Sequence, residues 1–177
     1  MKLFIAINFK KSIRFKIGEV IREIKHLSTQ GKFVKNDHLH LTLEFFGDIW
    51  EDRIYDVISV MNKVSTKGFL LKADKIDFFR KSIGNIYYIG FKENSRLLDL
   101  QKELHDMLLE KNFKLEEREY TPHITIGRKV ILKENSDLEK YVNTLSKIRL
   151  KVDSIELMQS QHLDGKLIYT VICSKKL

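Results

Sequence analysis

The stretch HLHLTLEFF (38–46) sets two histidines and a threonine at alternate positions of an otherwise largely apolar run, and PHITIGR (122–128) repeats the pattern with one histidine and one threonine. Alternate residues of a β-strand share a face. His38, His40, Thr42 and Glu44 are therefore predicted to look one way, and Leu39, Leu41, Leu43 and Phe45 into the core. In the second stretch Thr121, His123 and Thr125 share a face, opposite Pro122, Ile124 and Ile126. One histidine on the wet face of a strand is an ordinary surface residue. Two His-x-Thr triplets, with His40 and His123 separated by 83 residues in a repeated order of elements, are much harder to dismiss. Imidazole is the side chain that near pH 7 serves neutral in one copy and protonated in another. A facing pair supplies a general base for water and a general acid for a leaving oxygen, each worth roughly 10²- to 10⁴-fold. The threonine hydroxyls, two positions along, are placed to donate to the non-bridging oxygens of a phosphoryl group held between the rings. Zinc is the competing use of His-x-His, but neither strand carries an obvious further set of ligands.

Such a site needs two strands held face to face, and the remaining periodicity supplies them. Residues 3–9 read as a buried strand and 12–27 as an amphipathic helix with Ser12 as N-cap. A strand or hairpin over 32–47 ends at Gly47, followed by a helix over 51–64 and a strand over 69–79. After a connection at 80–85 the order begins again, with a strand over 86–91, a helix over 95–112, a strand over 119–130 and a helix over 135–147. Strands over 148–160 and 167–174 close the chain. The offset that relates the histidines also brings Tyr88 onto Ile5, so the opening strands share one register. The expected fold is α+β. It has two pseudo-symmetric lobes, each an antiparallel sheet with helices packed outside, forming a central cleft. Residues 1–177 make one bilobal domain with an internal repeat of approximately 1–82 and 83–177, and the imidazoles face each other across roughly 5 to 8 Å.

Composition sets outer limits. The 177 residues are 43% hydrophobic, enough for a proper core, and one proline with eight glycines leaves little room for linkers. Lysine and arginine number 32 against 24 acids, a net charge of +8. This favours an anionic partner without naming it, and a lysine-rich proteome would give the same balance. The single cysteine, Cys173, excludes an intramolecular disulfide and a cysteine metal cage within one chain, and reads as a core or edge-strand side chain. The apolar start is too short for a signal peptide, and no run approaches the roughly 18 to 20 residues of a membrane span. The expected location is cytoplasmic.

HLTLEFFG and PHITIGR resemble the paired H-x-T-x motifs of the 2H phosphoesterase superfamily. With LFIAINF, HLHLTLEFFGDI and REYTPHITIGR, the chain resembles its RNA 2′,3′-cyclic phosphodiesterase branch, also called 2′-5′ RNA ligase, over essentially its whole length. The resemblance implies two α+β lobes around a cleft, no metal or other cofactor, and opening of a 2′,3′-cyclic phosphate to a 2′-phosphate, with 2′-5′ ligation in reverse. The implied partner is RNA or an oligonucleotide ending in a cyclic phosphate, tRNA fragments among the candidates; a monomer is expected. By the same resemblance His40 and His123 are the catalytic pair, Thr42 and Thr125 the phosphate ligands, and Arg128 the basic residue after the second motif. His123 would be base to the water and His40 acid to the 3′-oxygen. The chain departs from the family at Glu44, commonly lysine, at Asn85, often arginine, and at Phe33, expected as tryptophan. Strict alternation sends Arg128 to the core, so its role requires a bulge or the strand's end near Gly127. The rival readings are a non-catalytic RNA-binding module, a phosphodiesterase for a small cyclic nucleotide, and a metal-dependent hydrolase. His26 and His105 are expected at the surface or as caps, His38 at the mouth of the cleft, His162 in a turn, and KNFKLEERE as a solvated helix end and loop.

Overall fold

LFIAINF forms the strand β1 (Lys2–Asn8), whose Leu3, Ile5 and Ile7 enter the main core while Phe4 and Ala6 pack on the opposite face with Met158. Both faces are covered, which is why the run is continuously apolar rather than alternating. The structure, a computed structural model, describes residues 1–177 apart from the side chains of Glu139, Val142 and Asn143. The helix α1 (Lys11–His26) follows, then β2 (Ser28–Phe33), β3 (His40–Asp48), α2 (Ile54–Lys63) and β4 (Phe69–Phe79). The second half runs β5 (Asn85–Phe91), α3 (Ser95–Glu110), β6 (His123–Leu132), α4 (Val142–Leu145), β7 (Arg149–Val152), β8 (Ser154–Leu163) and β9 (Lys166–Lys176).

The strands form two antiparallel sheets, one of four in the order β3-β1-β8-β9 and one of five in the order β2-β6-β5-β4-β7. In each, a strand bearing His-x-Thr lies beside the opening strand of its own half, and the next strand comes from the other half. The sheets therefore do not divide the chain at residue 83. Helices cross over in the same way. α1 packs on β2 and β6, α3 on β3, α2 on β9 and α3, and α4 on β4. The apolar stripe of α3, Leu97, Leu100, Leu104 and Leu108, is fully buried, worth roughly 1.5 to 3 kcal/mol per side chain by area removed from water. Its N-cap Asn94 accepts a hydrogen bond from the Leu97 amide at 3.1 Å.

Several boundaries differ from the sequence reading. α1 starts at Lys11 with Lys10 as N-cap and no side-chain cap, so Ser12 lies inside the first turn and does not cap it. The helix expected over 135–147 shrinks to a 3₁₀ turn, Glu139–Tyr141, and one turn of α4. β2 is additional to the expected elements, because STQGKF has neither alternation nor apolar content. It pairs along one side of β6 as a solvated edge strand, where backbone hydrogen bonds carry the pairing. Cys173 is free and half-buried on the edge strand β9, as expected for an edge-strand side chain. Among the described residues no helix is long and apolar enough to cross a membrane.

Candidate active site

β3 and β6 approach each other where the sheets meet, and a cleft of about 840 Å³ opens between them. His40 and Thr42 line it from β3; His123, Thr125 and Arg128 line it from β6. The five residues singled out by the sequence are thus brought to one cavity. Among the described residues no three His, Cys, Asp or Glu side chains gather where they could hold a metal ion.

The two imidazoles are held alike. His40 Nδ1 lies 2.8 Å from the His38 carbonyl oxygen and His123 Nδ1 lies 2.7 Å from the Thr121 carbonyl oxygen, each two residues upstream. A carbonyl only accepts, so both rings carry their proton on Nδ1 and leave Nε2 as the titrating atom. Aromatic rings bracket each histidine. His40 has Phe4 at 4.9 Å and Tyr169 at 5.2 Å, and His123 has Phe79 at 5.1 Å and Tyr88 at 5.5 Å between ring centroids. Burial lowers the pKa of both; His40 falls to about 4, with the charges of His123, His38 and Arg128 adding to the effect and the His38 carbonyl opposing it. Both imidazoles are therefore neutral at pH 7. A phosphate anion between them favours the protonated form and must raise these values. We expect the His40 ring signals in an NMR titration to move near pH 4 in the free protein, and at a clearly higher pH once inorganic phosphate or a 2′-nucleotide is bound. A value still near 4 in the complex would exclude His40 as the acid and reverse the two roles. The same shift makes the unfolded chain bind more protons than the folded one between pH 6.5 and 4, so this histidine subtracts stability as pH falls through that window.

Two β-bulges finish the site. In β3 the register with β1 skips Leu43, and in β6 the register with β5 skips Ile126. Each bulge shifts the alternation by one residue after the His-x-Thr triplet. Arg128, which strict alternation would bury, therefore turns to the cleft. The same shift overturns the reading of the first motif. Phe45 leaves the core for the cleft, 45% exposed, and Glu44 turns away from His40 to become 6% exposed. Glu44 accepts hydrogen bonds from Gln101 Nε2 at 2.5 Å and His105 Nδ1 at 2.8 Å, both on α3. Its carboxylate thus faces α3 and not the ligand space, and His105 is neither a free surface residue nor a cap. The matching position in the second motif is Gly127, where a Cβ would fall 2.8 Å from Val130 and 3.1 Å from Phe33. Tyr120, three residues before His123, donates its hydroxyl to the Thr42 carbonyl at 2.9 Å and so ties the two walls together.

His38 sits in a 3₁₀ turn, Asn36–His38, rather than on the strand, yet lines the cleft with its ring 5.1 Å from that of Tyr169. His26 is exposed on α1, and His162 is exposed on β8 rather than in a turn. Part of KNFKLEERE is not simply solvated, since Glu116, Arg118 and Glu119 line the cleft, Arg118 Nε lying 2.5 Å from Glu116. The bracketing rings Phe4, Phe79, Tyr88 and Tyr169 escape the sequence reading. Tyr88, which the 83-residue offset set onto the core residue Ile5, matches Ala6 instead, since Ala6 pairs with Thr42 and Tyr88 with Thr125, and so stands on the face of its sheet that carries His123.

The family model described as the 2′-5′ RNA ligase superfamily matches residues 14–164. A protein of Methanocaldococcus jannaschii named RNA 2′,3′-cyclic phosphodiesterase is 27% identical over 176 residues, covering 97% of this chain and 98% of its own. One of Thermotoga maritima with the same name is 29% identical over 132 residues, covering 72% and 70%. Among solved structures, E. coli LigT complexed with 3′-AMP superposes with a TM-score of 0.85 at 23% identity, covering 99% of this chain and 97% of that one. The TT0787 protein of Thermus thermophilus gives 0.83 at 20% identity, covering 100% and 98%, so the two-lobed fold is shared at low identity.

Proposed function

Because the chain belongs to the 2′-5′ RNA ligase superfamily, we propose that it is an RNA 2′,3′-cyclic phosphodiesterase that hydrolyses the cyclic phosphate at RNA or oligonucleotide ends to a 2′-phosphate. The observation that carries this reading is the matched pair of imidazoles, each with Nδ1 on the carbonyl two residues upstream, sharing one cleft with both threonines. A water oxygen attacks phosphorus while one Nε2 takes its proton. The bond from phosphorus to the 3′-oxygen breaks, and that oxygen takes a proton from the other Nε2. Thr42 and Thr125 donate to the non-bridging oxygens as charge grows on them. Arg128, free to reach into the cleft, adds positive charge on the same side. The scheme assigns no step to a metal, because the imidazoles move both protons and the hydroxyls stabilise the charge. His123 acts as the base and His40 as the acid. That assignment requires the bound phosphate to raise His40 into its protonated form. With an RNA 5′-hydroxyl in place of water, the same displacement forms a 2′-5′ linkage. The protein is read as a cytoplasmic monomer, with tRNA fragments among its substrates.

The test is a panel assay on protein dialysed against EDTA, offering an oligonucleotide ending in a 2′,3′-cyclic phosphate, a mononucleoside 2′,3′-cyclic phosphate and a 3′,5′-cyclic nucleotide. Turnover of the first two with chelator present is expected. Failure to turn over any of them would leave a binding module. Activity lost with chelator and restored by Zn²⁺ or Mn²⁺ would establish a metal-dependent hydrolase.

A further inference from the structure

The cleft departs from its own pseudo-symmetry along the outer side of β6. β3 ends its sheet, whereas β6 carries an additional strand, β2, along its outer side. β2 and the turn after it bring Lys32 and Lys35 to the cleft on that wall alone. Lys32 and Arg128 are cross-strand register partners, and both line the cleft, so two cations stand side by side on one face. Like charges at directly opposed positions are destabilising. Neither cation forms an ion pair among the described residues; of the two acids that line the cleft, Glu116 is paired with Arg118, and Glu119 with neither Lys32 nor Arg128. On the first wall the position equivalent to Arg128 is the aromatic Phe45, and the cation that this sheet brings to the cleft, Lys166 on β9, pairs across the strands with Leu163, so the side-by-side cations belong to the β6 wall. Arg128 stands five residues beyond His123, and with one residue taken up by the bulge this is roughly 13 Å along the strand. That is the separation of the backbones at the two residues, and the arginine side chain spans part of it. Arg128 is near enough for its charge to act on both histidines. It therefore stands between the scissile phosphate and Lys32.

We propose that the Lys32–Arg128 pair is a second phosphate subsite, which takes the phosphodiester immediately upstream of the terminal cyclic phosphate. The chain of the substrate then leaves the cleft over β2, and the preferred substrate is an oligonucleotide of two residues or more rather than a mononucleotide. This rests on the reading of His40 and His123 as the site of the scissile phosphate.

The experiment compares kcat/KM for a mononucleoside 2′,3′-cyclic phosphate, a dinucleotide ending in the same cyclic phosphate, and that dinucleotide with an uncharged methylphosphonate linkage. The charged dinucleotide is expected to exceed the other two by about tenfold, the size of a charge-assisted hydrogen bond. In Lys32→Gln that ratio falls towards one, and the slope of log kcat/KM against log salt for the dinucleotide drops by about 0.7, as expected when one phosphate of a single strand is no longer neutralised. A ratio near one in the native protein, or a ratio unchanged in Lys32→Gln, overturns the subsite while leaving the hydrolase in place. Absence of turnover on all three substrates would overturn the hydrolase instead. Dissociation constants for the dinucleotide 2′-phosphate with charged and uncharged linkages then read the subsite independently, and equal values overturn it.

Discussion

Replacing His40 or His123 by alanine is expected to lower kcat by about 10²- to 10⁴-fold, with KM changed little, on a dinucleotide ending in a 2′,3′-cyclic phosphate. In the proposed mechanism each imidazole acts on a proton that moves only as the bond changes at phosphorus, so its loss is expected to fall on the transition state and not on binding. Kinetics of the native protein should trace a bell against pH, whose limbs belong to the coupled pair rather than to either ring. A substrate with an activated leaving group separates the roles, because a good leaving group has less need of an acid. It should restore His40→Ala far more than His123→Ala. Equal restoration would remove the assignment of acid and base, and full activity in either variant would remove the mechanism.

The second large effect is expected far from any proton transfer. Gly84, in the connection between β4 and β5, has φ +63°, and a Cβ there would lie 2.6 Å from the Lys129 carbonyl carbon and 2.8 Å from its oxygen. Both atoms are backbone, so no side chain can swing aside to make room. Gly84→Ala should therefore cost about 3 kcal/mol of folding stability, combining the left-handed conformation with separation of the two segments. The displaced hairpin carries Phe79, which brackets His123, and the displaced strand carries Arg128, so residual activity should fall as well. Urea unfolding provides the measurement. A loss below about 0.5 kcal/mol would mean that the hairpin does not lean on β6 as described.

The histidines are legible in the sequence because strand alternation survives in the three residues of each His-x-Thr triplet, and because the triplets recur at a fixed offset. The alternation fails immediately afterwards. Leu43 and Ile126 are absorbed in bulges, and a bulge is a matter of how a strand meets its neighbour, which the strand's own sequence does not announce. Hence alternation places Arg128 only on condition of a bulge, and puts Glu44 and Phe45 on the wrong faces. Glu44 is also where the departure from the family changes meaning. A carboxylate in the cleft would repel RNA, but one held by Gln101 and His105 on α3 does not face it. β2 is invisible for a different reason, since an edge strand that buries almost nothing is stabilised by backbone pairing and leaves no hydrophobic pattern. The interleaving of the two halves between the sheets is equally hidden. Local periodicity names the strands, but which strand lies beside which is settled by long-range packing.

The central claim is that water opens the cyclic phosphate between His40 and His123. Its most direct test is hydrolysis of a dinucleotide 2′,3′-cyclic phosphate in ¹⁸O-labelled water by chelator-treated protein, with ³¹P NMR of the product, alongside the two alanine variants. The account predicts a single 2′-phosphomonoester carrying one ¹⁸O on phosphorus, formed by the native protein and almost absent with either variant over the same time. A 3′-phosphate, or undiminished product from the variants, would contradict it.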